Sequence, residues 1–376
     1  MILNNTQKIY FPNLNGLRFI AALFVIINHV EQILLLFEIN ELPISKFSKI
    51  IGKLGVMLFF VLSGFLITFL LLKEEYIFNK IDVKKFYLRR ILRILPLYFL
   101  LIFIVFGFVN QNEFWDLPYT INKFNDNYIN ILILHLLCFP NLAASVFGFI
   151  PYLAQTWSIG TEEQVYLLWP LLLRNVKNRI NLMIGIIVLY FLIKALLYLL
   201  GQLFTNSYLT YAYGFIARFN IDIIAVGSLA AIFYINQSKL LNYIVNLKLF
   251  YLTVILTIAL LLNGIQIPLF HYQFYSILFV IIILNLATNK KLKSSFLECK
   301  LLSFLGKISY GIYLTHFIVL IFVVKFCFKY DMINVSLIYF LTISITIIIS
   351  SISFYIYERP FLKLKIKFTK VRNIDV

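Results

Sequence analysis

Charge is scarce in this sequence. Asp, Glu, Lys and Arg make up 13% of its 376 residues, about half the share of a soluble globular domain. Hydrophobic residues make up 62%, and the charges cluster between long apolar runs. Two soluble domains, which the length alone would allow, are excluded by this balance. About ten spans of about 20 residues with short loops fit it. Acid is scarcer still: 16 Asp and Glu stand against 33 Lys and Arg, a net charge of +17. In a soluble chain that excess would suggest nucleic acid, but a phosphate-binding footprint needs a basic face outside the membrane. Cationic loops holding the cytoplasmic side account for the excess, and no nucleic-acid partner is expected. Cysteine is limited to Cys138, Cys299 and Cys327, widely spaced, with no CxxC pair and no disulfide framework. There is no HExxH and no His/Cys cluster for a metal, no P-loop, no GxGxxG after a strand and no nucleophile elbow. Internal repeats, low-complexity tracts and an extra soluble domain are also lacking. The first apolar run exceeds a signal-peptide core and has no small-x-small site with a soluble domain behind it, so it reads as a retained helix.

What is present is a loop charge pattern. Lys73, Lys80, Lys84, Lys85, Arg89, Arg90 and Arg93 surround one junction, which is therefore cytoplasmic. Glu113, Asp116 and Asp126 against Lys123 mark an external loop. Arg174, Lys177 and Arg179, then Lys290, Lys291, Lys293 and Lys300, mark internal ones, and Arg359, Lys363, Lys365, Lys367, Lys370 and Arg372 make a basic tail. Spans are expected at about 16–37, 54–72, 91–109, 157–173, 181–200, 212–235, 249–263, 272–287, 302–324 and 333–356. The apolar segment 129–139 is too short to span comfortably and reads as re-entrant or interfacial. The expected fold is an all-α polytopic membrane bundle of about ten transmembrane helices with both termini cytoplasmic. A transmembrane domain occupies 1–360 and a basic cytoplasmic tail 361–376.

Ionisable side chains inside a membrane are costly, so the few present are functional candidates. In GLRFIAALFVIINHV, Arg18 and His29 lie eleven residues apart, about three turns and about 16 Å along one helix face. Imidazole can deprotonate a hydroxyl or itself accept an acyl group. In FYLRRILRILPLY, Arg90 and Arg93 are helix neighbours beside Arg89. Guanidinium groups grip phosphate through forked hydrogen bonds, and Pro96 opens the backbone just beyond. Glu162, in TWSIGTEEQVYLLWP, falls one to two turns below the outer surface. Glu162 and Glu163 point in different directions, so at most one should face the interior. His316 sits midway through the ninth span, and Asp222 sits in the sixth with Arg218 one turn before it as an ion-pair partner. His135 and His271 fall at outer loops or ends, where a solvated imidazole costs nothing.

The ordered set of motifs resembles the acyltransferase type 3 family of integral-membrane O-acyltransferases. Arg18 with His29 opens it. Then come MLFFVLSGFLIT at 57–68, RRILRILPLY at 89–98, TWSIGTEEQVYLLWP at 156–170, LGKISYGIYLTH at 305–316 and YERPF at 357–361. The resemblance implies an acyl-CoA donor, often acetyl-CoA, from the cytoplasm of a bacterial inner membrane. It implies a carbohydrate acceptor such as lipopolysaccharide, exopolysaccharide, capsule, peptidoglycan or a lipid-linked precursor, and some members modify small molecules. By position His29 would be the catalytic histidine, Glu162 the family's carboxylate, and Arg18, Arg90 and Arg93 the binders of the CoA phosphates. His316 and Glu358 match commonly seen positions. Val165 replaces a usual aromatic, and Gly160 and Thr161 replace commoner apolar residues. These departures bear on acceptor preference rather than reaction type. Some relatives carry a fused periplasmic esterase-like domain, and with only a short basic tail after Pro360 a stand-alone form is expected here.

The resulting expectation is one shared passage. Arginines at its inner end hold the CoA head, the thioester reaches His29, and the acceptor hydroxyl arrives from outside near Glu162. No metal is required, and membrane lipid surrounds the bundle. The rival class is a transporter or flippase of a lipid-linked sugar or anion, which ten helices with midplane charges would also suit. Inverted-repeat halves and paired Gly- or Pro-broken helices, its usual marks, are not seen.

Overall fold

The computed structural model describes residues 9–39, 45–109, 113–117, 126–148, 150, 152–204, 206–292, 296–369 and 371, and no strand pairs into a sheet among them. Helices α1 (Leu14–Leu36), α2 (Lys46–Phe78) and α3 (Val83–Gly107) open the chain. Two short helices follow, α4 (Tyr128–Leu136) and α5 (Pro140–Val146). Next come α6 (Thr156–Asn175), α7 (Arg179–Leu203), α8 (Ser207–Phe219) and α9 (Ile221–Ile235). The remainder is α10 (Leu240–Ile244), α11 (Leu247–Leu262), α12 (His271–Thr288), α13 (Lys300–Lys307), α14 (Ser309–Lys329), α15 (Val335–Ser353) and α16 (Arg359–Ile366).

Among the described residues, eight helical segments are long and apolar enough to cross a membrane. The other two expected crossings are helices as well. α11 is shorter, at 16 residues, and α6 has 20 residues but carries Glu162, Glu163 and Arg174. α8 and α9 together make one 29-residue span, jointed at Asn220, whose left-handed φ of 36° suits an Asn. α4 and α5 are each too short to span, and the apolar segment 129–139 falls on α4 and the turn after it.

α2 is the axis of the bundle. Its most apolar window is 83% buried, whereas that of α7 is 11% buried, which makes α7 a peripheral, lipid-facing helix. Lipid tails are as apolar as leucine, so close backbone packing rather than hydrophobicity joins helices in a bilayer. Gly64 of α2 and Gly227 of α9 supply it: a Cβ on Gly64 would run into the Ile224 carbonyl, and one on Gly227 into the Val61 carbonyl. At that contact Ser228 Oγ donates to Gly64 O (3.1 Å), Thr68 Oγ1 to Ser228 Oγ (2.8 Å), and Trp169 Nε1 to Thr68 Oγ1 (2.8 Å). Buried polar groups so partnered avoid the cost of desolvation.

At the basic end of the bundle, Arg89 pairs with Glu74 (2.9 Å) and donates to Phe368 O (3.0 Å), while Arg179 pairs with Glu75 (2.7 Å). These contacts tie the ends of α2, α3 and α7 to one another and to the residues just past α16. The last span turns through a single π turn, Phe354–Glu358, before α16. Pro360 is the physical cause: it offers no N–H to residue 356, and its ring crowds that carbonyl. The helix therefore runs on through position 360, past the end of the span expected at 333–356.

Candidate active site

α1, α3 and α6 bring three cations and one acid to a single cavity of about 120 Å³. Arg18, Arg90, Arg93 and Glu162 line it, with Ser63, Tyr166 and Tyr310. Tyr166 donates to Glu162 Oε2 (2.8 Å), so the 2.5 Å contact with Ser63 Oγ is a donation from the serine. The Arg90 guanidinium lies 5.3 Å from the centroids of both the Phe86 and the Tyr166 rings, which fixes its plane. Arg18 Nη1 donates to Asn15 Oδ1 (3.0 Å). One carboxylate against three guanidiniums leaves the lining net cationic, suited to forked binding of phosphate oxygens. At about 120 Å³ the space is smaller than the about 300–1,000 Å³ of most small-molecule pockets.

His29 lines a second cavity, of about 340 Å³, with Asn28, Gln32, Lys53, Trp157 and Tyr313. Its imidazole meets that of His316 edge to edge and nearly coplanar, with ring planes 3° apart and centroids at 5.1 Å. The protons can be placed from the partners. A carbonyl only accepts, so His316 Nδ1 donates to Tyr313 O (2.7 Å). In a neutral imidazole the other nitrogen then accepts. The 2.7 Å contact between His316 Nε2 and His29 Nδ1 is therefore a donation from His29, and His29 Nε2 keeps its lone pair. An oriented base of this kind, held by a second group behind it, is the arrangement that hydroxyl activation needs.

The two cavities have two lining residues in common, Val56 and Tyr313. The single passage from Arg18 to His29 expected from sequence is therefore divided at that level. Tyr313 stands across it because its hydroxyl is bonded to Gln155 O (3.0 Å) and Ser158 Oγ (2.7 Å) at the start of α6, and its ring meets Phe59 edge-on at 5.8 Å.

The sequence matches the family described as "Acyltransferase domain" over residues 11–356. The chain belongs to that family. Among its curated relatives, "Putative O-acetyltransferase SACOL0978" of Staphylococcus aureus strain COL is 29% identical over 95% of this chain and 58% of its own length. "O-acetyltransferase OatA" of Staphylococcus aureus strain NCTC 8325 is 28% identical over 94% of this chain and 57% of its own length. The chain thus spans somewhat more than half the length of these family members. No solved structure matches it.

Within this member of the family, the expected site residues divide between the two cavities. Arg18, Arg90, Arg93 and Glu162 lie together in the first, and His29 lies in the second with His316 behind it. Glu162 is thus on the arginine side of the neck and not beside His29. It follows Trp157, which lines the His29 cavity, by five residues, about 7.5 Å down the helix axis. The expectation that at most one of Glu162 and Glu163 faces inward is corrected too: Glu163 Oε1 is buried, without a hydrogen-bond partner among the described residues. Glu358 is buried on the π turn beside Gly311 and within electrostatic reach of Arg93, and accepts from Ser353 Oγ (3.4 Å).

Asp222 and Arg218 do not pair. Asp222 accepts from Gln273 Nε2 (2.6 Å), while Arg218 donates to Gly214 O (2.8 Å) and Ser145 Oγ (3.3 Å). Neither lines the two cavities. His135, expected in water, is 2% exposed, with Nδ1 on Ile131 O (2.8 Å). The reason is that α4 folds back against the bundle. Gly160 is explained by that fold: a Cβ there would lie 2.6 Å from Pro140 Cδ of α5. Thr161, the neighbouring departure, donates to Trp157 O and Arg218 O (3.3 and 3.2 Å). Tyr313, Tyr166 and Lys53 escaped the sequence reading. Tyr313 sits in the SYGIYLTH motif three residues from His316, and that spacing was the available signal. No group of three or more His, Cys, Asp and Glu able to hold a metal occurs among the described residues.

Proposed function

We propose that the protein is a membrane O-acetyltransferase that moves an acyl group from acyl-CoA, acetyl-CoA in the first instance, to a hydroxyl of a carbohydrate or lipid-linked sugar. The observation that carries this reading is the His29–His316 pair with the free lone pair on His29 Nε2. The names of the relatives support the group transferred. On this reading both termini and the Arg18–Arg90–Arg93 cavity lie on the cytoplasmic side of a bacterial inner membrane, which the loop charges support, and the CoA head would dock there. Residues 1–360 then form the catalytic domain and 361–376 a basic cytoplasmic tail.

The arginines hold phosphate oxygens, and Glu162 anchors the Tyr166 ring against which Arg90 lies. The pantetheine arm crosses the neck at Val56 and Tyr313 and brings the thioester carbonyl to His29. His29 Nε2 takes the proton of the acceptor hydroxyl as its oxygen attacks the carbonyl carbon. The C–S bond breaks, and the imidazolium returns the proton to the departing thiolate. While His29 is cationic, its Nδ1–H bond to neutral His316 is charge-assisted and stronger. A covalent variant, acyl transfer first to Nε2 and then to the hydroxyl, uses the same lone pair. The test is transfer or hydrolysis of labelled acetyl-CoA by the purified protein in nanodiscs. Turnover that depends on His29 is the expected result, and full turnover by His29→Ala would remove the mechanism. A transporter without acyl chemistry would show no thioester cleavage at all.

A further inference from the structure

The His29 cavity contains a cation that the acyl-transfer scheme does not use. Lys53, on the first turns of α2, lines it beside Asn28, Gln32 and Trp157. Among the described residues Lys53 has no hydrogen-bond or ion-pair partner, and its strongest electrostatic neighbours, Arg218 and Lys194, repel it. No Asp or Glu lines the cavity. The nearest acid along α1, Glu31, is engaged elsewhere: it accepts from Ser48 Oγ and from Tyr339 OH (3.5 Å). Lys53 is exposed, and with cations as its electrostatic neighbours its charge stays free to meet an anionic group that enters the cavity.

The rest of the lining fits a sugar. Trp157 offers an aromatic face and an indole N–H that no hydrogen bond among the described residues occupies, and Gln32 reaches Asn28 Oδ1 (3.2 Å), so the two carboxamides form a polar edge. Aromatic faces and amide groups are the side chains that meet the C–H and O–H faces of a saccharide. The cavity, about 340 Å³, falls in the range of small-molecule sites.

We infer that this cavity is the acceptor site and that it selects a saccharide carrying an acidic substituent, carboxylate or phosphate, close to the hydroxyl offered to His29, with Lys53 as the residue that reads the acid. The inference rests on the proposed acyl transfer for the identity of the hydroxyl as acceptor, but binding can be measured without it.

The experiment is equilibrium binding to the full chain in phosphatidylcholine nanodiscs, which bring no anionic headgroup. The probes are tetragalacturonate, its fully methyl-esterified form, and glucose 1-phosphate with glucose as its neutral control. At least one acid should bind about tenfold more tightly than its neutral counterpart, as a charge-assisted contact supplies. Lys53→Met should abolish the preference, Lys53→Arg should keep it, and Lys49→Met, a substitution on the same helix outside the cavity, should leave it unchanged. Which acid is preferred tells carboxylate from phosphate. Equal binding of acid and neutral forms, no binding of either acid at millimolar concentration, or a preference that survives Lys53→Met would overturn the inference. A Lys53-dependent preference in a protein that never cleaves acetyl-CoA would leave the saccharide site standing and remove the acyltransferase reading instead.

Discussion

Two histidines 287 positions apart share one hydrogen bond of 2.7 Å, and the order of protons along it decides what each can do. His29 is the group that touches the substrates in the proposed reaction, and His316 acts through it. Removing the base should cost roughly 10²–10⁴-fold in rate. His29→Ala is therefore expected to lower kcat for acetyl transfer by that range. His316→Ala should lower kcat by about tenfold or more with little change in KM for either substrate, because only the orientation and charging of His29 are affected; an equal rise in KM would show that His316 shapes the pocket instead. Two neighbouring arginines separate just as sharply. Arg93 lines the cationic cavity and makes no hydrogen bond among the described residues, so Arg93→Ala should raise KM for acyl-CoA while the protein stays folded. Arg89 is buried against Glu74, with side chains 13% and 2% exposed. Arg89→Ala leaves a carboxylate unpaired in the interior, a change that typically costs about 3–5 kcal/mol. Its thermal unfolding midpoint in detergent should fall, and KM measured on the surviving fraction should not move.

The elements were largely legible in the sequence, and the contacts between them were not. Long apolar runs with basic flanks gave the spans because a bilayer demands length and internal hydrogen bonding from each one separately. The short run at 129–139 read correctly as a non-spanning piece for the same reason. What length cannot report is rotation: Arg18 and His29 both face inward from α1, yet Tyr313 from α14 stands between their cavities. That register depends on Gln155 and Ser158 of α6 receiving the Tyr313 hydroxyl, a coincidence of three helices that no local pattern encodes. His135 was misplaced for a similar reason, since its burial comes from how α4 folds back and not from its own neighbours in sequence. The division at Tyr313 carries a prediction at this scale. In the proposed scheme the neck keeps water and acceptor apart from the thioester until the arm crosses. Tyr313→Ala should join the two cavities and raise acceptor-independent hydrolysis of acetyl-CoA relative to transfer. Tyr313→Phe keeps the ring but loses both hydroxyl bonds, so it should show a smaller rise. If the ratio of hydrolysis to transfer is the same in Tyr313→Ala as in the unaltered protein, the neck does not separate the substrates.

Across the whole molecule the two cavities differ in chemistry as they differ in place. One is lined by three guanidiniums and a carboxylate, the other by imidazole, amides, an indole and one amine. Such an arrangement suits a donor and an acceptor that arrive from opposite sides of a membrane and meet at its middle, and it makes sense only if the arginine end is cytoplasmic. The net charge of +17 supports that orientation through its distribution, because cationic loops are retained inside. A native residue can test it. Cys299 is exposed, in the stretch between α12 and α13, at the end where the Asn13 backbone N–H at the start of α1 donates to Glu298 Oε2 of that same stretch (2.5 Å). Cys327 is buried, and Cys138 is half-buried, so Cys138→Ser leaves one accessible thiol. A membrane-impermeant maleimide should then label the protein in inverted vesicles and not in intact cells. Labelling in intact cells would place Arg18, Arg90 and Arg93 toward the outside, away from any cytoplasmic pool of acyl-CoA, and the direction of transfer proposed here would be wrong even with every side chain where the structure puts it.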